Sequence, residues 1–506
     1  MKGPNLIPMR VDPKNAGRAL IALLALLLLA RLAAMAWLPL MDTTEARYGE
    51  IARKMAELGN WVTPFHDVGV PFWGKPPLSF WLTAASFRLF GVSEFAARLP
   101  HLLCGLGMLA LVGLFARRRF GAREALLSVA LLAGAALFFV SSGAVMTDAA
   151  LVLCTTLAMV AFWLALHGES AAARRLHGWL FFVALGLGLL AKGPLVWVLV
   201  GLPLLPWLLW TRRWGEVWRG LPWLGGLLLM LAIAAPWYVL AEARTPGFLN
   251  YFLLGEHWHR FVTPGWKGDL YGRAHSYPIG TIWIFALSAL LPWTLLLPLA
   301  GWRRGSGSGG GGELAPASAA ATLAQRQQRG YLLLWALMPL LFFSAARNII
   351  WPYVLPAMPA AALLAADWLA RRNARAERWV AAGLAFTLLV SVGGAIEGLR
   401  SGRIEAATAK PVVRLYQAQH PVGQPLIYLE QRPFSANFYS LGQARLLKDA
   451  AELAPQLGAA GAYVVLPPDL HAEQLGPGLR VDAQLGRRGK ETLLLVRPLT
   501  QGAAAP

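Results

Sequence analysis

Long apolar stretches, each closed by a short polar turn, recur along the first 400 residues. A helix needs about 17–25 mainly apolar residues to cross the hydrocarbon core of a bilayer. Segments of about that length fall near 19–40, 99–116, 124–144, 148–167, 177–192, 194–211, 221–241, 278–300, 330–346, 351–370 and 379–396. The pattern predicts an α-helical polytopic membrane protein with about eleven transmembrane helices. The two segments around Lys192–Pro194 read equally as one long kinked helix. After residue 400 the rhythm changes. PLIYLEQ, GAYVVLPP and KETLLLVRPL are short strand-like runs, and LLKDAAELAPQL has a helical pattern. The expected division is a membrane domain over 1–400, with a first outer loop over 41–97 and a second over 242–277, and a small C-terminal α/β domain over 401–506. The Gly/Ser run 305–312 reads as a flexible linker, and the final QGAAAP as a disordered tail.

Composition supports the membrane reading. Of 506 residues 57% are hydrophobic and 14% charged, with a mean hydropathy of +0.50, whereas charged residues form about a quarter of a soluble protein. A net charge of +20 could suit nucleic acid, but its placement does not. Basic residues gather at Lys2, Arg10, Lys14 and Arg18, then at Arg117, Arg118, Arg119 and Arg123, at Arg174 and Arg175, and at Arg212, Arg213 and Arg219. They recur at Arg303, Arg304, Arg326 and Arg329, and at Arg371, Arg372, Arg375 and Arg378. Every second loop is basic, which is the positive-inside pattern and puts the N-terminus in the cytoplasm. The loops over 41–97 and 242–277 and the C-terminal domain then face outward. Ala34-Met35-Ala36 resembles a signal-cleavage site, but the run before it exceeds a signal core, so a retained helix is expected. Cys104 and Cys154 sit inside apolar spans and offer no disulfide framework.

An ionisable side chain at a membrane edge is costly and often marks a substrate path. Here such residues crowd toward the outer side. LPLMDTTEARYGEIARKM places Asp42, Glu45, Arg47 and Tyr48 just after the first span, and the GEIARKMAELGNWVTP that follows has the period of a surface helix. Lys75 stands before two prolines, which limit its freedom, although it also reads as a snorkelling interfacial lysine. Asp148 opens the fourth span and could equally cap that helix. Lys192 in LLAKGPL could cap the helix it ends. The second outer loop carries Glu256, His257, His259 and Arg260. A Glu-His-x-His group could ligate zinc, but it lacks the i, i+4 spacing of a strong metal helix. No metal ligand is assigned, and a divalent metal is left open as a cofactor. Arg260 suits phosphate, because a guanidinium fork matches phosphate oxygens. Arg347 and Tyr353 stand at the outer end of the tenth span.

Outward carboxylates, cations and an apolar wall describe a place for an amphiphilic anion such as a polyprenyl-phosphate sugar. Transfer of that sugar needs a base for the acceptor hydroxyl and positive charge at the departing phosphate.

The ordered set DTTEARYGEIARKM, GKPPLSFWLTAASFRLFG, MTDAAL, LLAKGPL, APWYVL, EHWHRF and PYVLPAMPA resembles the bacterial glycosyltransferases related to the aminoarabinose transferase of lipid A and to protein O-mannosyltransferases, over roughly residues 20–370. The resemblance implies a GT-C fold with amphipathic helices in the first outer loop and an inverting transfer from an undecaprenyl-phosphate sugar. The acceptor would be lipid A, a surface glycan or an exported protein. It also implies that Asp42, Glu45 and Asp148 are catalytic, with Asp42 as base and Glu45 as its alternative or partner. Arg47, Tyr48, Lys75, Lys192, His257, Arg260, Arg347 and Tyr353 would bind substrate, with Lys75 and Arg260 on the donor phosphate. The chain departs from the family pattern twice: Thr44 stands where relatives carry the candidate base, and Gly74 where many carry a glutamate. The implied location is the bacterial inner membrane, with the active site facing the periplasm. The alternative, a lipid-linked sugar flippase or transporter, predicts midplane polar residues and internal repeats, which the sequence does not display.

Overall fold

The structure is a computed structural model that describes residues 13–272, 275–302, 319–373, 375–419, 422–458, 460–467, 469–472, 475, 478–488 and 491–499. The run 305–312, the QGAAAP tail and residues Lys2, Arg10, Arg303 and Arg304 lie outside the described residues. The chain forms two compact units. The first holds residues up to 35, 60–82 and 98–392; the second holds 36–59, 83–97 and the residues from 393 onward.

In chain order the helices begin with α1 (Pro13–Trp37), α2 (Thr44–Leu58), α3 (Leu78–Phe90), α4 (Glu94–Arg119), α5 (Ala122–Ala133) and α6 (Ala136–Ser141). Next come α7 (Asp148–His167), α8 (Ala171–Lys192), α9 (Leu195–Thr211), α10 (Trp214–Gly220) and α11 (Trp223–Arg244). A π-helical segment, Tyr251–His259, lies between the short α12 (Phe248–Asn250) and α13 (Arg260–Val262). Then follow α14 (Thr281–Ala289), α15 (Trp293–Trp302), α16 (Ala319–Ser344), a 3-10 segment Trp351–Ala357, α17 (Met358–Arg372) and α18 (Ala376–Arg400).

Among the described residues, seven helices are long and apolar enough to cross a membrane, or eight if α14 and α15, bent by 73°, form one broken span. The chain is a multi-pass membrane protein. Helix occupies all eleven expected segments, but not always as one straight rod. The stretch 124–144 breaks after α5 because the carbonyls that would carry the helix onward accept side-chain donors instead. Trp293 Nε1 donates to Leu131 O at 2.6 Å, and Thr387 Oγ1 to Gly134 O at 2.7 Å. The Lys192–Pro194 region is two helices, turned at Gly193 with φ of 70°, a conformation that glycine adopts without penalty.

Helix α7 is the centre of the first unit. Sixteen of its 20 side chains are buried, as expected for a helix apolar on all sides. Glycines let α8 and α11 approach closely, the usual device where lipid supplies no hydrophobic drive between helices. A Cβ on Gly226 would lie 2.0 Å from the Phe182 ring, and one on Gly186 would lie 3.0 Å from Ile233.

The second unit contains a five-stranded sheet, β3 (Leu426–Leu429), β4 (Arg445–Leu447), β5 (Ala462–Leu466), β6 (Leu479–Arg488) and β7 (Glu491–Pro498), in the order β4-β3-β5-β7-β6. A separate hairpin, β1 (Phe65–Asp67) and β2 (Val70–Pro71), belongs to the first unit. The β3 pairings are parallel; β5–β7 and β6–β7 are antiparallel. The two-residue side-chain period of a strand sends Leu426 and Tyr428 into one core and Ile427 and Leu429 into the other, so both faces of β3 are covered. LLKDAAELAPQL is helical in its second half only: its first residues complete β4 beside β3, Asp449 accepts from Ala451 N at 2.9 Å, and a 3-10 turn, Ala450–Glu452, runs into a single α-turn at Leu453–Gln456.

Candidate active site

Helices α7 and α8 are joined by a turn of three residues. They therefore run antiparallel, and the first residue of α7 stands beside the last of α8. Lys192 Nζ donates to Asp148 Oδ1 at 2.6 Å, with the two side chains 7% and 10% exposed. The same ammonium sits 4.9 Å from the centre of the Tyr353 ring. Asp148 thus meets a cation, and the N-cap residue of α7, Thr147, makes no side-chain cap.

A second ion group adjoins the first. Lys75 Nζ donates to Glu256 Oε2 at 2.7 Å and to Gly74 O at 2.5 Å. Arg260, one α-turn beyond Glu256, reaches both carboxylate oxygens from Nη1, at 2.9 and 3.1 Å, and stands 3.5 Å from Asp269. Tyr251 Oη donates to Glu256 Oε1 at 3.2 Å. Glu256 is 3% exposed. Burial alone would raise its pKa, but Lys75 and then Arg260 overcome that and hold it at about 2. Burial lowers the basicity of Arg260, yet the Glu256 charge more than restores it.

His257 links the two groups. Its ring nitrogens lie 2.8 Å from Phe252 O and 3.2 Å from Lys192 O. Burial, the largest influence, lowers its pKa. Both nitrogens face backbone carbonyls and Glu256 is committed to two cations, so the Glu-His-x-His stretch is not arranged as a metal site. Among the described residues no three His, Cys, Asp or Glu side chains gather as a metal cluster.

Aromatic side chains tie down the segment that precedes Lys75. Tyr271 Oη accepts from Trp73 N at 2.9 Å and donates to Pro71 O at 2.8 Å, and its ring lies 4.6 Å from that of Phe72. Burial pushes the Tyr271 hydroxyl up to about 12. A Cβ on Gly74 would come within 2.9 Å of the Phe72 ring. A larger side chain at this position therefore has no room unless Phe72 moves.

Lys75, Asp148, Lys192, His257, Arg260 and Tyr353 are thus brought together in the first unit. Three cations face three carboxylates there: Lys75, Arg260 and Lys192 against Glu256, Asp269 and Asp148. At about 4 Å and an effective dielectric near 20, each pair contributes on the order of 4 kcal/mol before desolvation. A phosphate can replace a carboxylate on the same cations without adding buried charge of a new sign. Glu256 and Tyr251 are absent from the sequence-derived substrate-binding set. The signal for Glu256 was its i, i+4 relation to Arg260.

Arg347 is exposed, and its carbonyl accepts from Tyr277 N at 2.9 Å. Asp42, Glu45, Arg47 and Tyr48 belong to the second unit. Both Asp42 carboxylate oxygens take hydrogen bonds from Ser435, one from the backbone N–H at 3.0 Å and one from the hydroxyl. Glu45 lies in the first turn of α2. The Arg47 guanidinium stacks 5.0 Å from the Tyr48 ring and 5.8 Å from that of Phe434.

The chain is similar to known proteins in sequence and in fold. Residues 17–252 match the family model of dolichyl-phosphate-mannose-protein mannosyltransferase. The undecaprenyl phosphate-alpha-4-amino-4-deoxy-L-arabinose arabinosyl transferase 1 of Pseudomonas fluorescens (strain Pf0-1) is 34% identical over 359 residues, 67% of this chain and 55% of that protein. Its counterpart in Edwardsiella ictaluri is 30% identical over 364 residues, 71% of this chain and 60% of that protein. The chain thus spans little more than half the length of the curated relatives it matches. The crystal structure of ArnT from Cupriavidus metallidurans bound to undecaprenyl phosphate superposes with a TM-score of 0.75 at 22% identity, covering 96% of this chain and 99% of that one. That likeness bears out the GT-C membrane architecture with a small C-terminal sheet domain.

Proposed function

The chain is a relative, by sequence and by fold, of the undecaprenyl-phosphate aminoarabinose transferases and the protein mannosyltransferases, and on that premise we propose that it is an inverting glycosyltransferase. It moves a sugar from an undecaprenyl-phosphate donor to lipid A or another cell-envelope acceptor, at the periplasmic face of the bacterial inner membrane. The observation that carries this reading is the convergence of Lys75 and Arg260 on one buried carboxylate beside the Asp148–Lys192 pair.

In this reaction the acceptor hydroxyl oxygen bonds to the anomeric carbon as the bond from that carbon to the phosphate oxygen breaks. The hydroxyl proton goes to a carboxylate, and the electron pair leaves with undecaprenyl phosphate. Lys75 and Arg260 exchange Glu256 for the donor phosphate and bind it more strongly as its charge grows, which lowers the barrier. Asp148, held by Lys192, orients the site. Asp42 is the proposed base and Glu45 its alternative; proton transfer at Asp42 requires its contacts with Ser435 to loosen. Arg47, Tyr48, His257, Arg347 and Tyr353 complete the proposed substrate contacts, and residues 401–506 form the periplasmic α/β domain.

The test uses the full chain in lipid with undecaprenyl-phosphate sugars and lipid A, glycan or peptide acceptors, with products identified by mass spectrometry. Transfer to one acceptor, with free undecaprenyl phosphate as co-product, is expected. Passage of intact donor across a vesicle membrane without transfer would replace this reading with the flippase one. Lys75→Ala should weaken undecaprenyl-phosphate binding as well as turnover.

A further inference from the structure

Two contiguous cavities lie along α15 and α17 in the first unit, at the end away from the candidate active site. The 3-10 segment before α17 contains Tyr353, next to Lys192, whereas the far end of α17 carries Arg371 and Arg372. The inner cavity, about 270 Å³, is walled by apolar side chains including Leu131, Leu290, Trp293, Met358 and Ala362. The outer one, about 770 Å³, shares Leu297, Pro298 and Ala365 with it and ends on Arg329, Asp367, Arg371 and Arg372.

Asp367 is buried and organises this mouth. It accepts from Arg329 Nε at 3.3 Å, and from Arg371 through Nε at 2.7 Å and Nη2 at 2.6 Å. Arg372 lies 5.6 Å from the Trp368 ring centre. Two guanidinium groups thus face the carboxylate and a third, Arg372, lines the same cavity, so its charged lining carries a surplus of two positive charges. A guanidinium carries five N–H donors, so Arg329 and Arg371 keep donors beyond those given to Asp367.

We propose that this groove is a binding site for an anionic glycerophospholipid of the basic-loop leaflet. One acyl chain lies in the inner cavity against Trp293, and the phosphate rests on Arg329, Arg371 and Arg372. Charge and shape both favour this occupant. Guanidinium groups match phosphate oxygens in pairs, and basic pockets between helices on the cytoplasmic side suit anionic head groups. An apolar cavity stays dry, and about 150 Å³ already holds a benzene ring, so the inner cavity has room for several methylenes. A zwitterionic head group would bring an ammonium against a surplus of positive charge. The inference does not depend on the transferase reading.

The experiment is native mass spectrometry of the full chain released from nanodiscs that contain equal phosphatidylglycerol and phosphatidylethanolamine. Wild type should retain phosphatidylglycerol about tenfold or more over phosphatidylethanolamine, and Arg372→Ala should reduce that retention by about tenfold, the loss of a charged phosphate contact. Arg372→Ala leaves Asp367 paired with Arg329 and Arg371, so it strands no buried charge. Ala362→Phe, which fills the inner cavity without changing charge, should also lower retention. Equal retention of the two lipids, or retention unchanged in both variants, would overturn the proposal. So would undecaprenyl phosphate occupying these arginines in place of phosphatidylglycerol.

Discussion

Glu256→Gln tests the electrostatic core of the candidate site. The carboxylate is 3% exposed and joins Lys75 to Arg260. Holding its pKa at about 2 instead of 4.5 corresponds, at about 1.4 kcal/mol per pH unit, to about 3 kcal/mol of preference for the ionised form in the folded state. Removal of one partner from a buried ion pair lies in the same range, about 3–5 kcal/mol. Because the folded pKa is depressed, this contribution is fully present above about pH 4.5 and is lost as pH falls toward 2. The variant should therefore unfold with about 3 kcal/mol less stability at neutral pH, measured by denaturant titration in detergent, and should lack that segment of the acid profile. Undecaprenyl phosphate should stabilise the variant more than wild type, since it meets two cations without a competing carboxylate. A loss below about 1 kcal/mol, the scale of an exposed pair, or an unchanged acid profile would refute the assignment of Glu256 as a buried counter-ion.

Three further outcomes are expected. Lys192→Met should destabilise the fold by about 3–5 kcal/mol by stranding buried Asp148, and Lys192→Met with Asp148→Leu should recover most of that in the same titration. Gly383→Ala places a Cβ 2.1 Å from the Trp293 ring and should lower stability by about 1–3 kcal/mol through overpacking, read from the thermal midpoint. Asp42→Asn should lose most turnover while keeping donor binding, whereas Ser435→Ala should reduce turnover by less than about tenfold, about 1.4 kcal/mol. Equal losses in steady-state kinetics would make Asp42 a tether for Ser435 instead of the base.

Hydropathy and charge were enough to set the class of protein, the segments that become helix and the crowding of acids and cations at the helix ends, because both act locally and each span must satisfy its own backbone. The sequence also supplied Lys75, Asp148, Lys192, His257, Arg260 and Tyr353 as candidates. Tertiary structure alone decided who partners whom. Asp148 meets Lys192 across 44 residues and Lys75 meets Glu256 across 181, and no local pattern encodes contacts at such separations. It likewise decided that 124–144 breaks where Trp293 and Thr387 take its carbonyls, and that LLKDAAELAPQL begins as a strand because β3 offers it a ladder. Helix breaks and strand pairings of this kind are set by the neighbour that satisfies the backbone, and that neighbour is distant in sequence.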